Sequence, residues 1–227
     1  GSGAGLPNFM NIPGENALNI MSSNEYLTRV NLMDAANPHT DTPINLGKKV
    51  VVVGGGNTAM DSCRTAKRLG AEVTLVYRRS EAEMPARLEE VKHAKEEGIN
   101  FMTLHNPKEY EADEKGAVKA VVLDVMQLGE PDASGRRRPE ATGETITLEC
   151  DQVIVAVGVS PNPLVPKSIE GLELGRKNTI AVNDEMQSSI EEIYAGGDIV
   201  RGGATVILAM GDGRKAALNM SEKLLKK

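Results

Sequence analysis

The chain has 227 residues, 40% hydrophobic and 26% charged, enough to bury a sizeable core in one or two domains. Its 26 Lys and Arg against 32 Asp and Glu give a net charge of −6, and Trp is absent, so neither a basic surface nor aromatic stacking favours nucleic-acid binding. No apolar run approaches the roughly 20 residues of a membrane span and no signal segment is visible, so we expect a cytoplasmic protein without membrane contact.

The two cysteines, Cys63 and Cys150, lie far apart and form no C-x-x-C motif. This spacing argues against a disulfide framework, a zinc site and an iron–sulfur cluster within these residues. We therefore expect no metal site.

Residues 1–46 begin with a glycine-rich turn that no strand precedes, so they do not look like the start of a domain. Ser22 and Glu25 have the spacing of a capping box, which predicts the beginning of a helix. Pro38 and Pro43 then indicate a loop that leads to the next strand.

The most informative stretch is a predicted strand, glycine turn and helix that begins near Lys49. Four consecutive valines without polar alternation are typical of a strand buried on both faces of a parallel sheet. Between this strand and the helix, Gly54, Gly56 and Ala59 form the G-x-G-x-x-A variant of the dinucleotide fingerprint. A second predicted strand at 72–77 completes the βαβ context that makes the motif informative.

Each residue type in this motif has a physical role. Gly54 allows the tight turn, Gly56 lets a pyrophosphate approach the backbone, and Ala59 lets the helix pack close to the strand. Free N–H groups at the helix start then hold the phosphates. We assign this phosphate site to six consecutive residues: Gly54, Gly55, Gly56, Asn57, Thr58 and Ala59. The alternative is a glycine turn that binds no ligand.

The end of the second strand indicates which dinucleotide binds. An NAD site usually has an acidic residue here that accepts hydrogen bonds from the ribose, but this chain has Arg78 and Arg79. Two guanidinium groups suit the 2′-phosphate of NADP instead. Two alternatives stay open: a solvated charged turn, and a ribose contact from Glu81 or Glu83.

A helix is predicted next, with Pro85 in its first turn and Gly98 at its end. Arg87 lies near the start of this helix. It either reaches the same phosphate as Arg78 and Arg79 or is an ordinary surface arginine.

Residues 99–150 alternate with period two, which predicts a third parallel strand followed by an antiparallel meander. The tip of the meander, at 129–143, carries three adjacent arginines, 136–138, in either a solvated loop or a partner contact. An apolar strand at 152–157 is expected to close the sheet.

The remaining residues, 158–227, are predicted to form an irregular crossover, a short strand at 193–195 and a helix at 204–224. Gly211 and Gly213 lie inside that helix, where they indicate close approach of another backbone or a flat ligand, or else a helix break. The predicted inward residues are Ile207, Leu208, Met210, Ala217 and Leu218.

Six motifs in order make the chain resemble the pyridine-nucleotide–disulfide reductase superfamily, and within it the NADPH-dependent glutamate synthase small (beta) subunit family. They are GxGAGLPxFxxIPGE at 1–15, SxNEYLTRVNLM at 22–33, GGGNTAMD at 54–61, YRRSEAEMPAR at 77–87, AVGxxPN at 156–162, and AGGD at 195–198 followed by ATVILAMGxGRKAA at 204–217. The match covers nearly the whole chain.

This resemblance implies an α/β fold in which a Rossmann-like NAD(P)-binding domain, a parallel sheet plus an antiparallel meander, is inserted in an FAD-binding domain. In that family hydride passes from the nicotinamide to the flavin, and the resemblance implies that no side chain is catalytic. Asp198 would hold the ribityl or pyrophosphate region of FAD, Gly158 lies in a crossover beside it, and the helix start at Ala204 and Thr205 would face the flavin. The implied partner is the large glutamate synthase subunit or another electron acceptor.

The chain also departs from the family pattern. The glycine fingerprint of the FAD domain and the preceding iron–sulfur segment are not among these residues. We therefore expect an NADPH-binding domain at 47–157 between FAD-domain segments at 1–46 and 158–227, with an incomplete FAD site. Such a fragment would be inactive alone, and its exposed FAD-side segments would pack on one another or form a dimer. Without C-x-x-C, a thioredoxin-reductase-type disulfide activity is not expected.

Other functional classes stay open at this point. One alternative is an NADP(H) sensor without turnover, and another is a subunit for ferredoxin–NADP or sulfide chemistry. A flavin-free dehydrogenase would need a catalytic group in a cleft, but His39, His93 and His105 share no common motif.

Overall fold

The computed structural model describes residues 1–131, 135 and 137–225. Its contacts divide the chain into two compact units. The insert unit comprises Phe9–Val157, and the terminal unit comprises Gly1–Asn8 together with the residues from Gly158 onward. The insert unit therefore interrupts the terminal unit in the sequence. The expected domain boundaries at 47 and 157 stay a prediction, because compactness does not show which cofactor each part binds.

Ten strands and six α-helices are assigned within the described residues. The strands are β1 (Leu6–Pro7), β2 (Ile20–Ser22), β3 (Lys49–Val53), β4 (Glu72–Tyr77), β5 (Asn100–Thr103), β6 (His105–Ala112), β7 (Val118–Pro131), β8 (Arg137–Glu149), β9 (Gln152–Val155) and β10 (Val159–Ser160). The helices are α1 (Ser23–Leu27), α2 (Asn57–Arg68), α3 (Leu88–Glu96), α4 (Leu164–Ser168), α5 (Asp198–Arg201) and α6 (Val206–Leu225). None of the helices described is long and apolar enough to span a membrane.

The insert unit is built on a five-stranded parallel sheet in the order β2-β9-β3-β4-β5. The valines of β3 are buried, as expected for an inner strand of a parallel sheet. The prediction that β9 closes the sheet is wrong, because β9 lies between β3 and β2. The outer strand, β2, has only three residues and therefore gives no period-two signal in the sequence.

The helix predicted at Ser22 is confirmed, but only half of its capping box forms. The Ser22 hydroxyl accepts a hydrogen bond from the Glu25 N–H at 3.2 Å. The Glu25 carboxylate pairs with Arg29 at 2.7 Å instead of returning to the helix start. After five residues α1 continues as a π-helical turn, Thr28–Leu32.

The antiparallel meander is confirmed as the sheet β6-β7-β8. Its apolar face packs on the parallel sheet through one buried cluster, in which Tyr110, Val121 and Leu123 meet valines of β3, β4 and β9. The predicted tip at 129–143 is shorter in the structure, because β7 extends to Pro131 and β8 begins at Arg137. Arg136, one of the three adjacent arginines, lies outside the described residues.

In the terminal unit, β1 and β10 form a two-stranded antiparallel sheet. The strand predicted at 193–195 is wrong, since only a single bridge joins Tyr194 to Gln187. The predicted final helix is confirmed as α6, which passes through Gly211 and Gly213 without a break.

The predicted inward face of α6 is also wrong. Its aliphatic side chains are exposed, with 80% for Ile207 and 69% for Met210, whereas Asp212 and Ala216 are buried. The buried face is selected by close packing on the turn Gly196-Gly197: a Cβ on Gly196 would lie 2.7 Å from the Asp212 Cβ. The exposed large hydrophobic side chains of α6 are Val206, Ile207, Leu208, Met210, Leu218, Met220, Leu224 and Leu225.

Asp212 anchors α6 to this turn. Its carboxylate accepts hydrogen bonds from Arg201 at 2.6 and 2.7 Å and from the Gly197 N–H at 3.0 Å. The Arg201 guanidinium, helped by the Gly197 N–H, lowers the pKa of Asp212 to about 2. A depressed folded-state pKa contributes stability above the unfolded-state pKa, and that stability disappears as the pH falls through the folded-state pKa.

We therefore predict that the chain loses part of its stability between about pH 4 and pH 2 through Asp212. The Asp212→Asn variant should be less stable than the wild type at neutral pH, and the difference should shrink across this interval. Denaturant unfolding at several pH values measures it. The other carboxylates are common to both proteins, so two parallel pH profiles would contradict the prediction.

Candidate functional site

The glycine turn after β3 is shaped by close approach of neighbouring backbone. Gly54 has a φ of 144°, and a Cβ there would lie 2.3 Å from the Ala156 carbonyl oxygen. Its N–H donates to the Val76 carbonyl at 3.0 Å. Gly54 is therefore held between the ends of β4 and β9, and a larger residue does not fit.

Gly56 differs from Gly54 in its surroundings. A Cβ on Gly56 would meet no described atom within 4 Å, so the space above this residue is open. Ala59, one turn into α2, is fully buried. The structure thus leaves room for a ligand at Gly56 and close helix–sheet packing at Ala59, as the fingerprint predicts.

The N-terminus of α2 faces this open space without a side-chain cap. Gly56 is the N-cap residue and makes no side-chain hydrogen bond there. The N–H groups of Asn57 and Thr58 therefore stand at the positive end of a twelve-residue helix, where they can hold an anion. Both residues are exposed.

The segment that follows β4 folds back over the glycine turn. The Ala86 N–H donates to the Gly55 carbonyl at 3.0 Å, and the Arg87 N–H donates to Asn57 Oδ1 at 2.9 Å. The Tyr77 ring covers Gly55 so closely that a Cβ on this glycine would lie 2.6 Å from the ring. These contacts bring Arg87 to the start of α2.

The same contacts correct the predicted helix. Pro85 was expected in its first turn, but α3 begins at Leu88 with Arg87 as the N-cap residue. The backbone of Arg87 is extended, with a ψ of 141°, where its N–H reaches Asn57 at the glycine turn, so the helix begins only at Leu88. Leu88, the first residue of the helix, is 87% exposed.

The arginines beside this turn carry no carboxylate partner within the described part of the chain. Arg79 is half-buried, and its Nε is buried without a hydrogen bond to any described residue. Arg78 and Arg87 are exposed. The Arg79 carbonyl accepts from the Leu104 N–H at 3.1 Å, which fixes the backbone of this position.

Glu81 and Glu83, the alternative ribose ligands, are engaged elsewhere. Both Glu81 oxygens bind Lys95 Nζ, at 2.6 and 2.7 Å. The Glu83 carboxylate accepts from the Ser80 hydroxyl at 2.9 Å and from the Ser80 N–H at 3.2 Å. The available charge at this end of the sheet is therefore positive.

The terminal unit contains a cleft of about 500 Å³ that brings together three of the residues predicted for FAD. Asp198, Ala204 and Thr205 line it. The Asp198 carboxylate accepts from the Ala204 N–H at 3.1 Å, and Thr205 Oγ1 accepts from the Leu208 N–H at 3.4 Å. Gly158 is not among the lining residues; its φ is 100°, and its carbonyl accepts from the Asn8 N–H at 3.0 Å.

Sequence reasoning missed Tyr194 and Asp212 at this cleft. Tyr194 lines it, and the buried Tyr194 hydroxyl has no hydrogen-bond partner among the described residues. The Asp212 carboxylate accepts a hydrogen bond from the Gly197 N–H and so fixes the turn beside the cleft. A rare aromatic residue directly before Ala195-Gly196-Gly197-Asp198 was the available signal for Tyr194.

Comparisons with known proteins agree with this architecture. A family model described as pyridine nucleotide-disulphide oxidoreductase matches residues 1–213. Among solved structures, Mycobacterium tuberculosis FprA in complex with NADPH has the same fold, with a TM-score of 0.77 at 21% identity over 99% of this chain and 62% of that one.

Curated relatives are closer in sequence. The NADP(+)-dependent formate dehydrogenase subunit beta of Moorella thermoacetica is 45% identical over 182 residues, which cover 78% of this chain and 25% of that protein. The glutamate synthase (NADPH) small chain of Escherichia coli K12 is 43% identical over 177 residues, 75% of this chain and 38% of that protein. The chain thus spans less than half the length of either relative.

A matched pair of glycine substitutions tests the two roles in the turn. Gly54→Ala should destabilise the chain by roughly 1–3 kcal/mol, because it adds a methyl group against Ala156 at a φ unsuited to alanine. Gly56→Ala meets open space and should leave stability nearly unchanged while weakening 2′,5′-ADP binding. Thermal unfolding and calorimetric titration measure the two effects. Equal losses of stability would contradict the assignment.

Proposed function

The chain belongs to the pyridine nucleotide-disulphide oxidoreductase family, and on this premise we propose that its insert unit binds NADPH as the hydride donor of a flavin-dependent oxidoreductase. The observation that carries the proposal is the arginine cluster beside the open glycine turn. Arg79 has a buried Nε without a described partner, and an unsatisfied buried donor favours an anionic ligand.

The pyrophosphate would lie over Gly56, on the N–H groups of Asn57 and Thr58 at the start of α2. The 2′-phosphate would lie at Arg78 and Arg79, with Arg87 brought to the same turn by Asn57. Because Glu81 and Glu83 bind Lys95 and Ser80, they are not available to the ribose, and this supports NADP over NAD.

The terminal unit would hold part of an FAD. Its cleft has the Asp198 carboxylate, the start of the long helix α6 and a Tyr194 hydroxyl without a hydrogen-bond partner among the described residues, and this set of polar groups suits a polar cofactor. When bound, the flavin supplies the hydride acceptor. The side chains of this chain bind and orient the cofactors, and none of them needs to act as an acid or a base.

The identity of the final electron acceptor is a further step of the proposal. We favour the role of a glutamate synthase small subunit, with a larger partner subunit as acceptor, because the six motifs and the E. coli small chain point in this direction. A second candidate is electron transfer to a different partner, favoured by the relative that is a formate dehydrogenase subunit. Copurification of the intact protein with its partner separates the two.

An NADP(H) sensor without turnover stays an alternative. A sensor has no use for the cleft at Asp198 and Tyr194. Flavin absorbance in the purified full-length protein therefore supports the oxidoreductase, and its absence supports the sensor.

The double substitution Arg78→Ala and Arg79→Ala tests the 2′-phosphate site. A hydrogen bond to a charged group contributes about 1.5–3 kcal/mol, so losing two should weaken NADPH and 2′,5′-ADP binding by about a hundredfold or more. Binding of NADH and 5′-AMP should hardly change. Arg176→Ala removes one positive charge from an exposed position in the terminal unit and serves as the control. Equal losses for both pairs of ligands would refute the assignment.

A second prediction concerns the flavin. The 227 residues produced alone contain a complete glycine fingerprint for NADPH, whereas the predicted flavin contacts that the described residues bring together are Asp198, Ala204 and Thr205 in one cleft. We expect this chain to bind NADPH, to be colourless after gel filtration and not to oxidise NADPH. Stoichiometric retention of FAD would contradict this expectation.

A further inference from the structure

We infer that Lys95 is a specificity-determining residue for NADPH, which acts by holding the Glu81 carboxylate away from the 2′-phosphate. This inference rests on the proposed NADPH site. It concerns a pair that lies outside the phosphate-binding residues already described.

Glu81 lies close in sequence to the arginines of the proposed 2′-phosphate site. It begins a short 3-10 turn, Glu81–Glu83, two residues after Arg79. An acidic residue near the end of this strand is what an NAD site uses to bind the ribose hydroxyls. A free carboxylate here would repel a 2′-phosphate and compete with it for the arginines.

Lys95 removes this competition. Its Nζ binds both Glu81 oxygens, at 2.6 and 2.7 Å, across fourteen residues of sequence. The same ammonium group lies 5.5 Å from the centroid of the Phe101 ring, on β5 beside β4. The ring and the carboxylate together orient the lysine, and Glu81 is drawn to α3.

The neighbouring carboxylate does not depend on Lys95. Glu83 is held by the Ser80 hydroxyl and N–H in a capping box, so its position is fixed within its own turn. Glu81 has no such local partner among the hydrogen bonds of the described residues. Lys95 is therefore the group that decides whether Glu81 is neutralised.

The role of this pair is not mainly structural. Both side chains are nearly half exposed, 46% for Lys95 and 47% for Glu81, and exposed ion pairs contribute little to stability. Their charges, however, act on an anion within a Debye length, about 8 Å at physiological salt. The consequence should appear in nucleotide discrimination rather than in folding.

The test uses charge-matched variants of the 227-residue chain, titrated calorimetrically with NADPH, NADH, 2′,5′-ADP and 5′-AMP. Lys95→Met keeps an apolar contact with Phe101 but frees Glu81, and it should weaken NADPH and 2′,5′-ADP binding by about threefold to tenfold. Binding of NADH and 5′-AMP should not weaken. The effect should shrink in about 0.5 M NaCl, because salt screens exposed charges.

Rescue makes the test specific. Adding Glu81→Gln to Lys95→Met restores the net charge and should return NADPH affinity to the wild-type value, and Lys95→Arg should retain it. The control is Lys92→Met. Lys92 lies on the same helix, and its Nζ is 3.7 Å from a Glu96 carboxylate oxygen. Removing this charge should leave the discrimination between NADPH and NADH unchanged.

The outcomes separate the two proposals. A double variant as weak as Lys95→Met, or equal losses for NADPH and NADH, would overturn the role of Lys95 while leaving the NADPH site intact. A wild-type chain that does not prefer NADPH over NADH would overturn the proposed function itself, and this inference with it.

Discussion

Steric exclusion at the glycine turn is the constraint on which the rest of the insert unit depends. At Gly54 the ends of β3, β4 and β9 come so close that a single methyl group would overlap the Ala156 carbonyl. Gly55 meets the Tyr77 ring in the same way. The Gly55 carbonyl accepts the Ala86 N–H, and this backbone contact ties the segment with the arginines to the glycine turn.

Local patterns explain why much of this unit was predictable. The valines of β3, the helical spacing of α2 and the alternation of the meander are each visible within a dozen residues. The strand order was not, because β2 pairs with β9 more than a hundred residues later and has three residues of its own. The start of α3 was missed because Arg87 has an extended backbone where it contacts the glycine turn, and this contact is not visible in helix propensity.

The candidate site shows the same difference between local features, which were predictable, and contacts between distant residues, which were not. The glycines and the arginine pair were predicted because their chemistry can be inferred from residue type and spacing. Two ion pairs were not predicted, Lys95 with Glu81 and Arg201 with Asp212, which join residues fourteen and eleven positions apart through different elements. A single sequence does not reveal which of several nearby charges will pair, since the choice depends on helix rotation and packing.

Asp212 shows how a buried charge can decide which face of a helix, here α6, is turned inward. Hydrophobic patterning predicts the aliphatic face of α6 inward, but a buried carboxylate with three hydrogen bonds fixes the opposite choice in this unit. Removing Arg201 would leave the buried Asp212 carboxylate uncompensated, so the pairing favours this orientation of α6. The Asp212 side chain also leaves no room for a Cβ on Gly196. The turn that carries Asp198 is therefore shaped by α6 before any ligand arrives, just as the turn at Gly54 is shaped by its neighbouring strands. If the proposed ligands bind at these two turns, the preorganised backbone of each turn would position them and lower the ordering entropy lost on binding.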